Sequence, residues 1–176
     1  MPLDGVLHKA ALKGDLGVIE EYLSQYPNDV NAKGAQQRTP LHRAVGGGSD
    51  KKSIVLLLLD YKADPNAPDI NGLTPLHWAA TLGNTDFGTI LLDHGANPNV
   101  QTKNGDTALH FCAEKGNSTF IQLLLNHNAD PTLRNNDTTN KRGHTPYDVA
   151  RKFHNKECAR LLKLPGTSRL RFLICY

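Results

Sequence analysis

Apolar residues in this chain return in short stripes, each of the same design. In the stretch 73–99, Leu76, Ala79 and Ala80 fall on one face of a helix, with small residues that let another helix come close. After Gly83 a second stripe follows, carried by Phe87, Ile90, Leu91 and Leu92. The ends are marked as well. Thr74 is placed to cap the first helix, and Pro75 takes its first position, where no backbone donor is needed. Gly83 closes that helix, and Gly95 is the expected left-handed residue beyond the second. Such a pair cannot bury its own apolar face, but stacked copies can.

The copies are present. Thr39-Pro40-Leu41-His42, Thr74-Pro75-Leu76-His77 and Thr107-Ala108-Leu109-His110 head three successive units at nearly even spacing. Thr145-Pro146-Tyr147-Asp148 heads a further unit after a longer interval, and Leu7-His8 heads a degenerate one before Leu41-His42. The units also end alike, in Asp29-Val30-Asn31, Ala63-Asp64-Pro65-Asn66, Ala96-Asn97-Pro98-Asn99 and Ala129-Asp130-Pro131-Thr132. A period near 33 with Thr-Pro-Leu-His-x-Ala resembles the ankyrin-repeat family. The resemblance spans nearly the whole chain. It implies an all-α solenoid of five helix-pair repeats with projecting β-hairpin fingers. The repeats are placed at about 4–33, 34–68, 69–101, 102–134 and 135–163 within a domain 1–163, followed by a tail 164–176.

Repeat one is expected to shield the open end of the stack, with Lys13, Asp15, Glu20 and Glu21 in solvent and Val18, Ile19, Tyr22 and Leu23 facing inward. Two repeats are irregular. The interval from Thr39 to Asn66 is longer by two than those from Thr74 to Asn99 and from Thr107 to Thr132. The surplus lies in Gly46-Gly47-Gly48-Ser49-Asp50-Lys51-Lys52, so the first helix is expected to end by Val45 and pass into a loose loop. Neither the spacing nor a preceding strand fits a phosphate-binding P-loop. In repeat five the finger is longer by five than the others, with a polar insert around 135–142 that must lie in solvent. The tail, with Leu170, Phe172, Leu173, Ile174 and Tyr176, is too apolar to stand free and is expected to cover the flank of repeat five, with pairing to another protein's sheet edge as the alternative.

Candidates for chemistry are few. His8, His42, His77 and His110 hold one place in successive repeats, and helices about 8–10 Å apart cannot bring two imidazoles onto one zinc at ~2 Å. By the resemblance, this histidine bonds within the junction of finger and helix. Trp78 and Phe111 follow two of them. A cage for a methylated lysine needs three or four aromatic faces, and the other aromatics nearby, Phe87, Phe120 and Tyr61, belong to second helices, so packing between repeats is expected. Cys112, Cys158 and Cys175 show no metal or redox spacing and point to a reducing, intracellular compartment, cytoplasmic or nuclear. No run is long enough to span a bilayer, no catalytic set or cofactor motif stands out, and the reading is of a non-enzyme that needs no cofactor or metal.

Charge is uneven. Residues 1–99 carry 8 Lys or Arg against 11 Asp or Glu, a net of −3, and residues 100–176 carry 12 against 6, a net of +6. The resemblance implies that fingers and the ends of first helices line a concave face. Leu12, Arg38, Ile70, Leu73 and Leu82 match it in the first three repeats. Lys103, Asp106, Lys115, Lys141, Arg142, His144, Arg151 and Lys152 match it in the last two. The face thus turns from apolar to basic, and a protein partner that is apolar and then acidic would complement it. A monomeric adaptor, scaffold or inhibitor is the expected function. Nucleic acid or another anionic surface is the alternative, weakened because no aromatics interleave with the basic residues.

Overall fold

The computed structural model describes residues 4–136 and 142–163. Ten α-helices run in five antiparallel pairs among these residues: α1 (Val6–Lys13) with α2 (Leu16–Gln25), α3 (Pro40–Gly46) with α4 (Lys52–Asp60), α5 (Pro75–Leu82) with α6 (Thr85–Asp93), α7 (Ala108–Lys115) with α8 (Ser118–Asn126), and α9 (Pro146–Lys152) with α10 (Lys156–Leu162). First helices stack on first helices throughout, and second on second from α4 to α10, so one continuous core runs the length of the array. Leu41, Leu76 and Leu109 repeat at its centre, with Phe87 and Phe120 between the second helices, and all five are sealed from solvent.

The motif explains each start. Thr39, Thr74 and Thr107 cap α3, α5 and α7, and the histidine three residues on completes a capping box, its Nδ1 accepting the threonine N–H at 3.1–3.2 Å. In repeat five Asp148 does the same for Thr145. The other imidazole nitrogen reaches into the next repeat. His42 Nε2 donates to the Leu73 carbonyl and His110 Nε2 to the His144 carbonyl, each at 2.9 Å. His8 Nε2 meets the Ala32 and Arg38 carbonyls. His77 Nε2 is sealed near the Asp106 and Val100 carbonyls and closes a full hydrogen bond with neither. At the opposite side of the array Asn31, Asn66 and Asn99 form a second ladder. Each side chain donates to one carbonyl and accepts one N–H of the following repeat.

Three expectations change. No residue among those described forms a strand: the fingers of repeats three and four are tight turns closed by a backbone cross-bond, Asp69 N–H to Leu73 O at 2.9 Å and Thr102 N–H to Asp106 O at 2.9 Å. Neighbouring fingers share one further backbone bond, too little for a ladder, with side-chain bonds such as Gln101 Nε2 to Arg134 O beside it. In repeat two the helix continues through Gly46, and the inserted residues make a 3-10 turn, Ser49–Lys51, in place of a loose loop. Its Lys51 is buried, with its stem against Gly14 (φ +87°) at the C-terminus of α1. Asn117 occupies the same place against Gly83 and Asn155 against Gly116, each donating to carbonyls of the first helix before it. The insertion therefore seats an ammonium where the regular repeats seat an amide, at the negative end of a helix dipole. Finally, Val18, expected to face inward, is 36% exposed and stands with exposed Val6 and Leu16 at the N-terminal end, while Tyr22 packs partly buried on the core as expected.

Candidate functional site

Each finger leads directly into the N-terminus of the first helix that its threonine caps. The finger of repeat three turns at Gly72 (φ +80°), where a Cβ would stand 2.9 Å from the Lys103 nitrogen. Asp69 holds that turn, its Oδ1 accepting from Asn71 N–H and Leu73 N–H. Ile70 and Leu73 are left half-buried on the finger. Below them Leu82 at the end of α5 is 55% exposed, and Leu12 near the end of α1 is 45% exposed.

The grooves between successive first helices are filled by the residue that follows the motif histidine. Trp78 of α5 lies against Gly46 of α3, where a Cβ would be 3.5 Å from the indole. Arg38, from the finger of repeat two, stacks on that ring with its guanidinium carbon 4.4 Å from the centroid. Arg38 Nε stands 3.8 Å from a carboxylate oxygen of Asp69, a side chain with no solvent exposure. Arg38 Nε, Asp69 Oδ2 and Trp78 Nε1 are all sealed without a hydrogen-bond partner among the described residues, so charge attraction and stacking hold this cluster together. In the next groove Phe111 meets His77 edge to face, ring centroids 5.7 Å apart. Both aromatics pack on the core, as expected of packing residues. In the last groove the same position is Val149, and there a cavity of about 180 Å³ opens between α7 and α9.

The remaining basic positions stand apart from the two filled grooves. Lys103, Lys115, Arg142, Arg151 and Lys152 are exposed, Asp106 and His144 half-buried. Lys115 is paired with Glu114 at 3.1 Å, Asp106 accepts from Asn135 Nδ2 at 2.7 Å, and His144 lends its carbonyl to His110. Lys141 and most of the repeat-five insert lie outside the described residues, as does the tail with Cys175. Phe153, which the sequence pattern did not single out, is 48% exposed at the position in repeat five that Leu82 holds in repeat three. The signal for it was the alignment of Thr145 with Thr74. Two larger clefts, of about 390 and 410 Å³, lie around Tyr147 on the outer flank of repeat five.

The buried groups are not set up for reaction. Burial pushes the imidazoles of His42 and His77 down to about 4 and lowers that of His110, so all three are neutral near pH 7. Burial likewise raises the thiols of Cys112 and Cys158, away from thiolate chemistry. Among the described residues no three His, Cys, Asp or Glu side chains gather into a possible metal site, and no helix is long and apolar enough to cross a membrane.

Comparison with known proteins points one way. The family model described as ankyrin repeats (3 copies) matches residues 7–102 and 90–168. The chain is 36% identical over 80 residues to the RelA-associated inhibitor of Mus musculus, 46% of this chain and 9% of that protein. It is 39% identical over 80 residues to the putative ankyrin repeat protein FPV244 of Fowlpox virus, 46% of this chain and 12% of the relative. It is 37% identical over 78 residues to a transient receptor potential cation channel subfamily A member 1 homolog of Caenorhabditis elegans, 44% of this chain and 6% of the channel. The matched stretch is thus a small part of each of these relatives' length.

Proposed function

Because the chain belongs to the ankyrin-repeat family, we propose that it grips a protein partner across the face made by its fingers and first helices, without catalysis. The family is generally a non-enzymatic interaction module. The observation that carries the choice of face is the row of exposed apolar side chains, Leu12, Leu82 and Phe153, at the ends of α1, α5 and α9, flanked by Ile70 and Leu73. Their side chains face water in place of the core, and exposed large apolar side chains repeated along one set of helix ends favour a contact site there. Buried anchors in such a patch set the affinity, and the basic rim of Lys103, Arg142, Arg151 and Lys152 sets the encounter rate. The mouse relative is by its name an inhibitor associated with RelA. An adaptor or inhibitor that occupies another protein's surface is the form we infer for this chain, working as a monomer inside the cell.

The competing reading takes the basic half as a seat for nucleic acid or another polyanion. Two of its cations are already matched, Lys115 by Glu114 and Arg134 by Asp148 at 3.6 Å, which weakens it. The test is affinity capture from the source cell with the native chain, with Leu73→Asp and Leu82→Asp, and with Gln122→Glu on exposed α8 as control. Loss of the captured protein with the first two and retention with the third supports the finger face. Loss with the control alone moves the site to the other side. Salt-resistant retention on heparin would favour the polyanion.

A further inference from the structure

The grooves between first helices differ in what fills them, and the difference has a chemical sense. One residue per repeat, the one after the motif histidine or its counterpart, decides the matter: Trp78 fills the groove between α3 and α5, Phe111 that between α5 and α7. Val149 is too short to fill the groove between α7 and α9, and the cavity of about 180 Å³ is the result. Phe111 and Phe153 give it aromatic walls, with Val149 beneath. Asp106 and Glu114 bring two carboxylates to the same lining, and Lys152 adds an ammonium. The partners of these carboxylates leave them open to more: Asp106 is bonded by the neutral amide of Asn135, and the Glu114–Lys115 pair is partly in water, where such pairs are weak.

The chain already shows what fits a groove of this kind. In the groove between α3 and α5, Arg38 lies with its guanidinium on the Trp78 ring and its Nε toward the Asp69 carboxylate. That is an arginine held between an aromatic face and a finger carboxylate. The cavity between α7 and α9 has the aromatic faces and the carboxylates and, among the described residues that line it, no arginine.

We propose that this cavity receives an arginine side chain of the partner protein, its stem along Phe153 and Val149 and its guanidinium between the Phe111 ring and the carboxylates of Asp106 and Glu114. This rests on the reading of the finger face as the docking surface, and it names the anchor. A planar, weakly hydrated cation that stacks on a ring and pairs with carboxylates at its edge is what the lining selects. The partner segment that meets residues 100–176, expected from their net charge to be acidic, is therefore not uniformly so. It brings at least one cation to the centre of a basic rim.

The test uses the full chain and small probes. N-acetyl-arginine amide, its neutral isostere N-acetyl-citrulline amide and N-acetyl-leucine amide are titrated while backbone amide resonances are followed. The arginine probe should shift Asp106, Phe111, Glu114, Val149 and Phe153 and bind about two- to fivefold more tightly than citrulline. Val149→Phe, which puts into α9 the ring that Phe111 puts into α7, should remove the response with the circular dichroism unchanged. Asp106→Asn with Glu114→Gln should leave the cavity open and reduce arginine to the level of citrulline. Equal binding of the citrulline or leucine probe, or an undiminished response in the filled variant, overturns the proposal. The captured partner separates this from the broader reading. If Leu73→Asp releases it and Val149→Phe does not, the face stands and the arginine anchor falls. If the arginine probe binds as described but Leu73→Asp and Val149→Phe both keep the partner, the cavity selects arginine without anchoring this partner, and both the anchor and the face fall.

Discussion

Acidification should weaken this stack well above the pH at which carboxylates begin to protonate. His42 and His77 are buried as neutral bases, held at about 4 against an ordinary value of 6.5, with desolvation the leading cause in both. Their Nδ1 atoms accept hydrogen bonds from Thr39 and Thr74 N–H, so a proton placed there would also break the caps of α3 and α5. Between pH 6.5 and 4 the unfolded chain binds protons at both sites and the folded chain does not. The stability of the fold must therefore fall as the pH falls through that window. At pH 5 each site lies a unit and a half below its unfolded value, which at about 1.4 kcal/mol per unit amounts to about 2 kcal/mol, or roughly 4 kcal/mol for the two. Against a total of about 5–15 kcal/mol this is a large share. Urea unfolding followed by circular dichroism at pH 7 and pH 5 gives the difference directly. In His77→Gln the fall between those two values should be about half as large, whatever the variant costs at pH 7. A stability that is flat from pH 7 to 5, or a slope untouched by that substitution, would refute the assignment of these imidazoles as neutral in the fold.

Four further outcomes follow from the packing. Trp78→Ala should cost about 3 kcal/mol, since the indole fills its groove and carries the stacked Arg38, and urea titration reads it. Gly88→Ala should destabilise by about 1–3 kcal/mol, although alanine favours helix, because its Cβ would stand 2.5 Å from the ring of Phe120; Phe120→Leu in that background should recover part of the loss. Leu73→Asp should speed release of the partner with little change in association, and Lys141→Glu with Arg142→Glu should slow association, less so as salt rises; surface-based kinetics separates the two. Cys112, raised by burial and sealed, should resist alkylation in the fold and react on unfolding, so mass spectrometry across a urea series reports the opening of repeat four.

Most of the array could be read from the residues alone, for reasons that are local. A threonine followed by proline at a helix start, and glycine at its end, act through backbone geometry that no neighbour overrides. What stayed hidden depends on where a side chain ends up. Val18 and Ile19 are adjacent in α2 and equally apolar, yet one is exposed and the other sealed, and spacing alone did not separate them. Lys51 reads as one of several charges in a glycine-rich loop, and nothing in the sequence says that its stem will lie over Gly14. The candidate face was legible only as positions. That Trp78 and Phe111 fill their grooves while Val149 leaves one open requires the distance between helices, which the spacing of motifs does not carry.

The bonds between repeats also bear on how such a chain can change. His42 and His110 reach carbonyls, Asn31, Asn66 and Asn99 reach a carbonyl and an N–H, and Asn117 and Asn155 reach carbonyls again. Every one of these joins a side chain of one unit to the backbone of the next or the one before, and backbone is the same whatever residue it belongs to. A unit duplicated, deleted or exchanged would meet its new neighbour with the connection already made. Meanwhile the side chains of Leu73, Leu82 and Phe153 take no part in these joints. They are free to be rewritten for a new partner without renegotiating the structure that displays them.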